Sequence, residues 1–451
     1  MTKMKKKLTA RETVFIATML FGMFFGAGNL IFPVYMGQLA GRNVWPAFIG
    51  FLITGVGLPL MGVAAIGLSR SDGLLELSGK VGRGYSVFFT CALYLTIGPF
   101  FAIPRCATVP FTIGVTPLLG EGAHSAALPI FSAVFFLIVL AFSLQPGKIL
   151  TYVGKFLTPA FLVFLGVLVI AALANPMAHV ADVEPTGDYI AKPFFTGFLD
   201  GYNTMDALAS LAFGIVVVNV IRGLGVEKPE NVAGETARAG IFSCVIMGVI
   251  YLAVTIAGVQ SSGAGVACSN GGDVLALLAD HYFGKAGSLV LAAIVTLACL
   301  KTSIGLVTSC SETFVEMFPN GPKYRVWAVI FSVVSFLVAN LGLNAIIAYS
   351  IPVLMLLYPL AITLIVLGLT GKFFAHDRAV YAFVTGFTVP AAIIDFIGTL
   401  PALPAIEGFQ SALSTFCTNY LPFYGLGLGW VCPALVGLVI GLAIHFVRKA
   451  R

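Results

Sequence analysis

Two short stretches carry residues that fit poorly in an ordinary membrane helix and well in a binding site. In the first, Gly22, Gly26 and Gly28 stand beside Asn29, and Pro33 follows. Glycine weakens the helix ladder, and a proline at 33 removes the amide that would bond back to Asn29. In the second, Asp200, Asn203, Thr204 and Asp206 are interleaved with Gly197, Gly201, Tyr202 and Met205. Backbone freed at membrane depth offers unpaired amides and carbonyls, tolerable only where protein or a watery cavity supplies partners. Carboxylates at that depth face a cavity or a partner. The chemistry on offer is therefore the holding of a polar or charged solute within the membrane.

The first stretch is read as unwound from Phe25 to Asn29, between two half-helices. A packing face is the alternative reading, because small residues let helices approach closely. Asp200 also suits the membrane surface, and Tyr202 an interfacial aromatic belt.

The surroundings are apolar throughout. The chain has 451 residues, 59% of them hydrophobic and 10% charged, with mean hydropathy +1.01. Soluble domains carry about 25% charged residues. This composition is that of a polytopic membrane protein, so the net charge of +6 is no signal for nucleic acid. The basic start, Met1 to Lys7, precedes an apolar run too long for a signal peptide core and is read as a cytoplasmic anchor.

Apolar runs of about 20 residues divide the chain into twelve spans: 12–36, 44–69, 84–105, 125–144, 148–174, 193–221, 240–262, 285–311, 324–341, 344–370, 379–400 and 424–447. The stretch from Pro104 to Pro129 has no assigned depth. With the N-terminus inside, twenty of the 25 Lys and Arg residues fall on the cytoplasmic side. Arg42, Arg105, Lys192 and Lys285 fall opposite, and Lys301 lies within span eight. This bias places both termini in the cytoplasm.

Spans one and six are interrupted at matching positions in two sets of five. Such a pattern points to an all-α inverted-repeat transporter with its site between the repeats. The chain is read as one transmembrane domain, 1–451, with a first repeat over 12–174, a second over 193–370 and two extra helices over 379–447.

Five cysteines, Cys91, Cys244, Cys299, Cys310 and Cys432, fall in apolar spans, and Cys106 falls just past the end of one. Cys268 and Cys417 sit in loops, where a disulfide is possible but unsupported by spacing. No Cys-x-x-Cys, His-rich, His-Glu-x-x-His or Gly-x-Ser-x-Gly pattern occurs, which argues against a metal centre and against an enzyme. No nucleotide-binding loop is present, so no cofactor is expected, and neither nucleic acid nor an obligatory protein partner is implied.

Four segments carry a specific resemblance: Arg11-Glu12-Thr13, Gly26 to Pro33, Gly201 to Leu208 and Gly305-Leu306-Val307-Thr308. They resemble the bacterial branched-chain amino acid carriers, the LIVCS family, grouped with the amino acid–polyamine–cation superfamily. The resemblance covers essentially the whole chain. It implies the leucine-transporter (LeuT) fold in the bacterial plasma membrane. It also implies symport of leucine, isoleucine and valine with a cation, sodium or proton, by alternating access.

For such a substrate, the carboxylate suits the positive N-terminal end of a half-helix, at Ala27, Gly28 and Asn29. The ammonium suits carbonyls left unpaired around Phe24 to Gly26 and at the break of span six, Tyr202 to Asp206, through Asn203 and Thr204. Phe24, Phe25, Tyr202 and Met205 are candidates for the dry pocket around the side chain. Burying a leucine side chain is worth roughly 1.5–3 kcal/mol. One methylene discriminates by only about 1–3 kcal/mol, so shared recognition of the three substrates is expected.

The family's fold also implies a sodium site between span-one carbonyls, here at Gly22 and Phe25, and span-eight hydroxyls. Cys299, Thr302 and Ser303 have i, i+3, i+4 spacing and share a helix face, and oxygen ligands suit a hard cation. Bonding of Thr302 and Ser303 to their own helix is the alternative. Asn29 is a candidate for a second cation site. Lys301 departs from the hydroxyl residue expected there. Its ammonium replaces sodium, pairs with Asp206, or points away from the site; these three readings stand side by side. A transporter of another small neutral amino acid or amine, and a channel, are the remaining alternatives.

Overall fold

The computed structural model describes residues 7–69, 71–119, 124–144, 149–226, 228–401 and 407–450. Residues 1–6 of the basic start, together with Arg70, Lys148 and Arg451 of the charge pattern, lie outside them.

The first span is α1 (Ala10–Phe24) and α2 (Gly28–Ala40), separated at Phe25 to Ala27. Thr9 and Glu12 start α1 with a reciprocal cap, in which Glu12 Oε2 accepts from the Thr9 amide at 2.8 Å and Thr9 Oγ1 accepts from the Glu12 amide at 3.3 Å. The second span is α3 (Val44–Leu52) and α4 (Leu58–Ser69), joined by one wide turn. After the short α5 (Leu74–Gly79), the third span is α6 (Arg83–Leu95) and α7 (Ala102–Gly114), bent at Gly98 and Phe101. Spans four and five are α8 (His124–Ser143) and α9 (Ile149–Ala174).

The sixth span is α10 (Pro193–Asp200), a tight turn at Gly201–Thr204, and α11 (Asp206–Gly223). Met205, in the left-handed conformation (φ 62°, ψ 9°), starts α11. Spans seven and eight are α12 (Pro229–Ser261) and α13 (Gly271–Met317), the latter kinked at Gly284. Spans nine to twelve are α14 (Tyr324–Ala339), α15 (Leu343–Thr370), α16 (Arg378–Thr399) and, after α17 (Glu407–Tyr420), α18 (Val431–Ala450). Among the described residues nine helical runs are long and apolar enough to cross a membrane, and no strand occurs.

Two differences from the sequence reading concern the site. Span three does not stop at residue 105; α7 carries it to Gly114, so Arg105 and Cys106 are buried within it rather than at or past its end. Pro104 lies in the first turn of α7, where a proline is tolerated, so it follows the helix start instead of ending a helix. Span eight begins earlier than residue 285, because the kink at Gly284 joins a preceding helical segment to it. Cys268 and Cys417 are both free thiols.

Packing repeats between the halves. The second half of span one, α2, lies along α12 of span seven, and the second half of span six, α11, lies along α4 of span two. The first halves behave likewise, α1 against α12 and α10 against α3. The crossings of α2 with α12 and of α10 with α3 use glycine where backbones touch. A β-carbon on Gly258 would strike the Val34 carbonyl, and one on Gly197 the Ala47 carbonyl. These crossings hold the two broken spans face to face at the centre of the molecule.

Candidate functional site

The two breaks meet at a cavity of about 470 Å³. At the first break Phe25 leaves the helix (φ −74°, ψ 103°), and Ala27 starts α2 without a side-chain cap. Asn29 stabilises the turn itself, since its Oδ1 accepts from the Gly26 amide at 2.9 Å. Its Nδ2 donates to Asp206 Oδ2 at 2.5 Å and also to the Tyr251 hydroxyl. The Tyr251 hydroxyl donates in turn to Asp206 Oδ2 at 3.5 Å. Asn29, Asp206 and Tyr251 are all at least 97% buried, so this network ties α2, α11 and α12 together away from lipid.

At the second break, Thr204 Oγ1 donates to Gly201 O at 2.9 Å and accepts from the Asp206 amide at 3.4 Å. The Asn203 carbonyl, freed by the turn, accepts from Arg105 Nη1 at 2.9 Å.

The candidate residues divide by position. Phe24, Gly26, Ala27, Gly28 and Asn29 of the first break line the cavity, as do Thr204, Met205 and Asp206 of the second. Phe25 stacks on Phe21, with ring centroids 4.9 Å apart, and is not among the lining residues. Tyr202 stacks on Tyr358 at 3.9 Å and the Asn203 carbonyl is held by Arg105, so neither is among the lining residues. Asp200, the last residue of α10, accepts from the Tyr189 hydroxyl.

On α13, Lys301 and Thr302 reach the cavity, whereas Cys299 and Ser303 turn toward α7 and adjoin Cys106. The face expected from the Cys299, Thr302 and Ser303 spacing is thus split by a rotation of the helix. Thr302 Oγ1 donates to its own helix at Ala298 O, 3.2 Å away. Lys301 Nζ lies 3.7 Å from the point where a β-carbon on Gly22 would sit. Among the described residues it forms no ion pair with Asp206.

Two residues escaped the sequence reading. Tyr251 looked like one more apolar position of span seven. Arg105 looked external because prolines surround it, although an arginine next to an apolar run is itself a signal.

The cavity continues from the breaks past Met19, Phe213, Val216, Ser309 and Glu312, toward the side that bears the N-terminus. Toward the opposite side the elements close up. Gly271 abuts the Ile31 backbone, Gly201 abuts Thr54, and Thr54 Oγ1 donates to Phe198 O at 2.7 Å.

Two discontinuous helices facing one another across a central cavity open to one side define a LeuT-fold transporter. The fold agrees with that of Mhp1, a nucleobase-cation-symport-1 family transporter, in a closed conformation with bromovinylhydantoin bound. That comparison covers 100% of this chain and 95% of that one, with a TM-score of 0.62 and 14% identity. The chain belongs to the branched-chain amino acid transport protein family, whose model matches residues 9–448. The branched-chain amino acid permease BrnQ of Lactobacillus delbrueckii subsp. lactis is 52% identical over 99% of this chain and 100% of the permease. BrnQ of Bacillus subtilis (strain 168) is 42% identical over 99% of both chains.

Proposed function

We propose that this protein imports leucine, isoleucine and valine across the bacterial plasma membrane by symport, with both termini cytoplasmic. The observation that carries the reading is the joining of the two helix breaks through Asn29 and Asp206 at the wall of one cavity. Membership of the branched-chain amino acid transport family supports the substrate class. An amino acid brings a carboxylate to the first amides of α2 and an ammonium to Asp206 and the carbonyls of the breaks. Phe24 and Met205 offer apolar surface to the branched side chain. With the N-terminus cytoplasmic, the cavity faces inward.

The coupling ion in this reading is a proton. The Lys301 ammonium lies beside Gly22, whose carbonyl the family resemblance assigns to a sodium site, and a cation there would meet a like charge. Lys301 supplies a protonatable amine in place of a cation site.

Counterflow in reconstituted vesicles tests the transport reading. Labelled leucine should enter against its gradient when vesicles are preloaded with leucine, isoleucine or valine. Entry that never exceeds equilibrium would identify a channel.

A further inference from the structure

We propose that Arg105 anchors the carboxylate of the transported amino acid in the cavity where Asp206 receives the ammonium. The inference rests on the amino acid reading above and goes beyond it by giving the carboxylate a charged side-chain partner.

Arg105 is 2% exposed and lines the cavity. Its Nη1 donates to Asn203 O at 2.9 Å, and its Nη2 approaches Met205 Sδ at 2.9 Å. The guanidinium carbon lies 5.1 Å from the centre of the Phe32 ring. A guanidinium carries five N–H donors. Two are engaged here, both by neutral acceptors, and among the described residues no carboxylate forms an ion pair with it. Asp206 mirrors this condition: its side chain accepts from Asn29 and Tyr251, which are neutral, and from no cation among the described residues.

Arg105 and Asp206 therefore border one cavity with no direct ion pair between them among the described residues. Groups of opposite sign buried without direct contact are costly, and a ligand bearing both signs lowers that cost at both ends. A zwitterion is such a ligand. The start of α2 lies at the same place, since a β-carbon on Gly28 would sit 3.5 Å from the Phe32 ring and 3.6 Å from Thr204 Cα. One carboxylate oxygen can then take the free N–H groups of Arg105 and the other the first amides of α2. Planar, charge-assisted recognition of this kind favours arginine over lysine.

The test measures binding of leucine and of leucinamide, which lacks the carboxylate, to the purified full-length protein and to Arg105→Gln and Arg105→Lys. Wild type should prefer leucine by roughly 10- to 100-fold. Arg105→Gln should lose that preference, while Arg105→Lys keeps part of it. If Arg105 only props the turn at Asn203 and Met205, Arg105→Gln weakens both compounds equally and the preference survives, which overturns the anchor. Equal binding of the two compounds by wild type overturns the anchor while leaving the amino acid reading intact. Failure of wild type to bind either compound overturns the amino acid reading and the anchor with it. Where Arg105→Gln does not fold, the wild-type preference and Arg105→Lys decide the matter.

Discussion

Asn29 Nδ2 lies 2.5 Å from Asp206 Oδ2, a hydrogen bond that spans 177 positions of chain and joins the two broken helices at their breaks. Each residue serves its own turn as well, Asn29 by accepting from the Gly26 amide and Asp206 by opening α11. Removing either therefore disturbs both breaks. Asn29→Ala and Asp206→Asn should each lower leucine uptake by at least about tenfold, as expected for losing a hydrogen bond to a charged group. Both variants should remain in the membrane at wild-type levels, which immunoblotting of membrane fractions checks. Normal uptake by both would move the site elsewhere.

Lys301 separates exchange from accumulation. In the Lys301→Met variant the protonatable amine is gone while the cavity keeps its apolar lining. Leucine counterflow should persist, and accumulation driven by a pH gradient should disappear. Retention of proton-driven accumulation would show that the amine carries no coupling.

Gly258 tests the crossing that fixes the first break. An alanine there would drive its β-carbon into the Val34 carbonyl. Overpacking of this kind costs about 1–3 kcal/mol, so Gly258→Ala should melt several degrees lower in detergent. An unchanged melting temperature would mean that α2 and α12 are farther apart than described.

Asp377 gives a pH signature at the membrane surface. Its side chain caps α16, accepting from the Ala379 amide at 2.8 Å, and it accepts from His445 Nδ1 at 2.7 Å. The Ala379 amide first, and His445 second, hold its carboxyl below the ordinary value of 3.8. A carboxylate whose value is lowered by folding contributes stability above its unfolded value and loses it as pH falls through the folded one. Melting should therefore drop as pH falls below 3.8. Asp377→Ala should cost about 1 kcal/mol at neutral pH and flatten that acid decline.

The breaks were legible because their residues are wrong for a plain membrane helix: glycines, Asn29 and Pro33 in one, Asp206 and Asn203 in the other. The surroundings were less legible. Proline at 104 reads as a helix end, yet the bend at Phe101 makes it part of a new first turn, which hid Arg105 within span three. On α13, i, i+3, i+4 spacing groups Cys299, Thr302 and Ser303. Rotation of the helix instead turns Lys301 and Thr302 to the cavity and the other two to Cys106. Spacing defines a face but not the direction in which it points. Tyr251 carried no signal, because an aromatic residue in an apolar span is ordinary until a carboxylate is found beside it.

The most direct test is accumulation of labelled leucine by purified protein in vesicles, with proton and sodium gradients imposed one at a time. Accumulation driven by the proton gradient in sodium-free buffer, and lost in Asp206→Asn, is the predicted result. Accumulation that requires a sodium gradient and ignores the pH gradient would contradict the role given to Lys301, and no accumulation of leucine under either gradient would contradict symport of leucine.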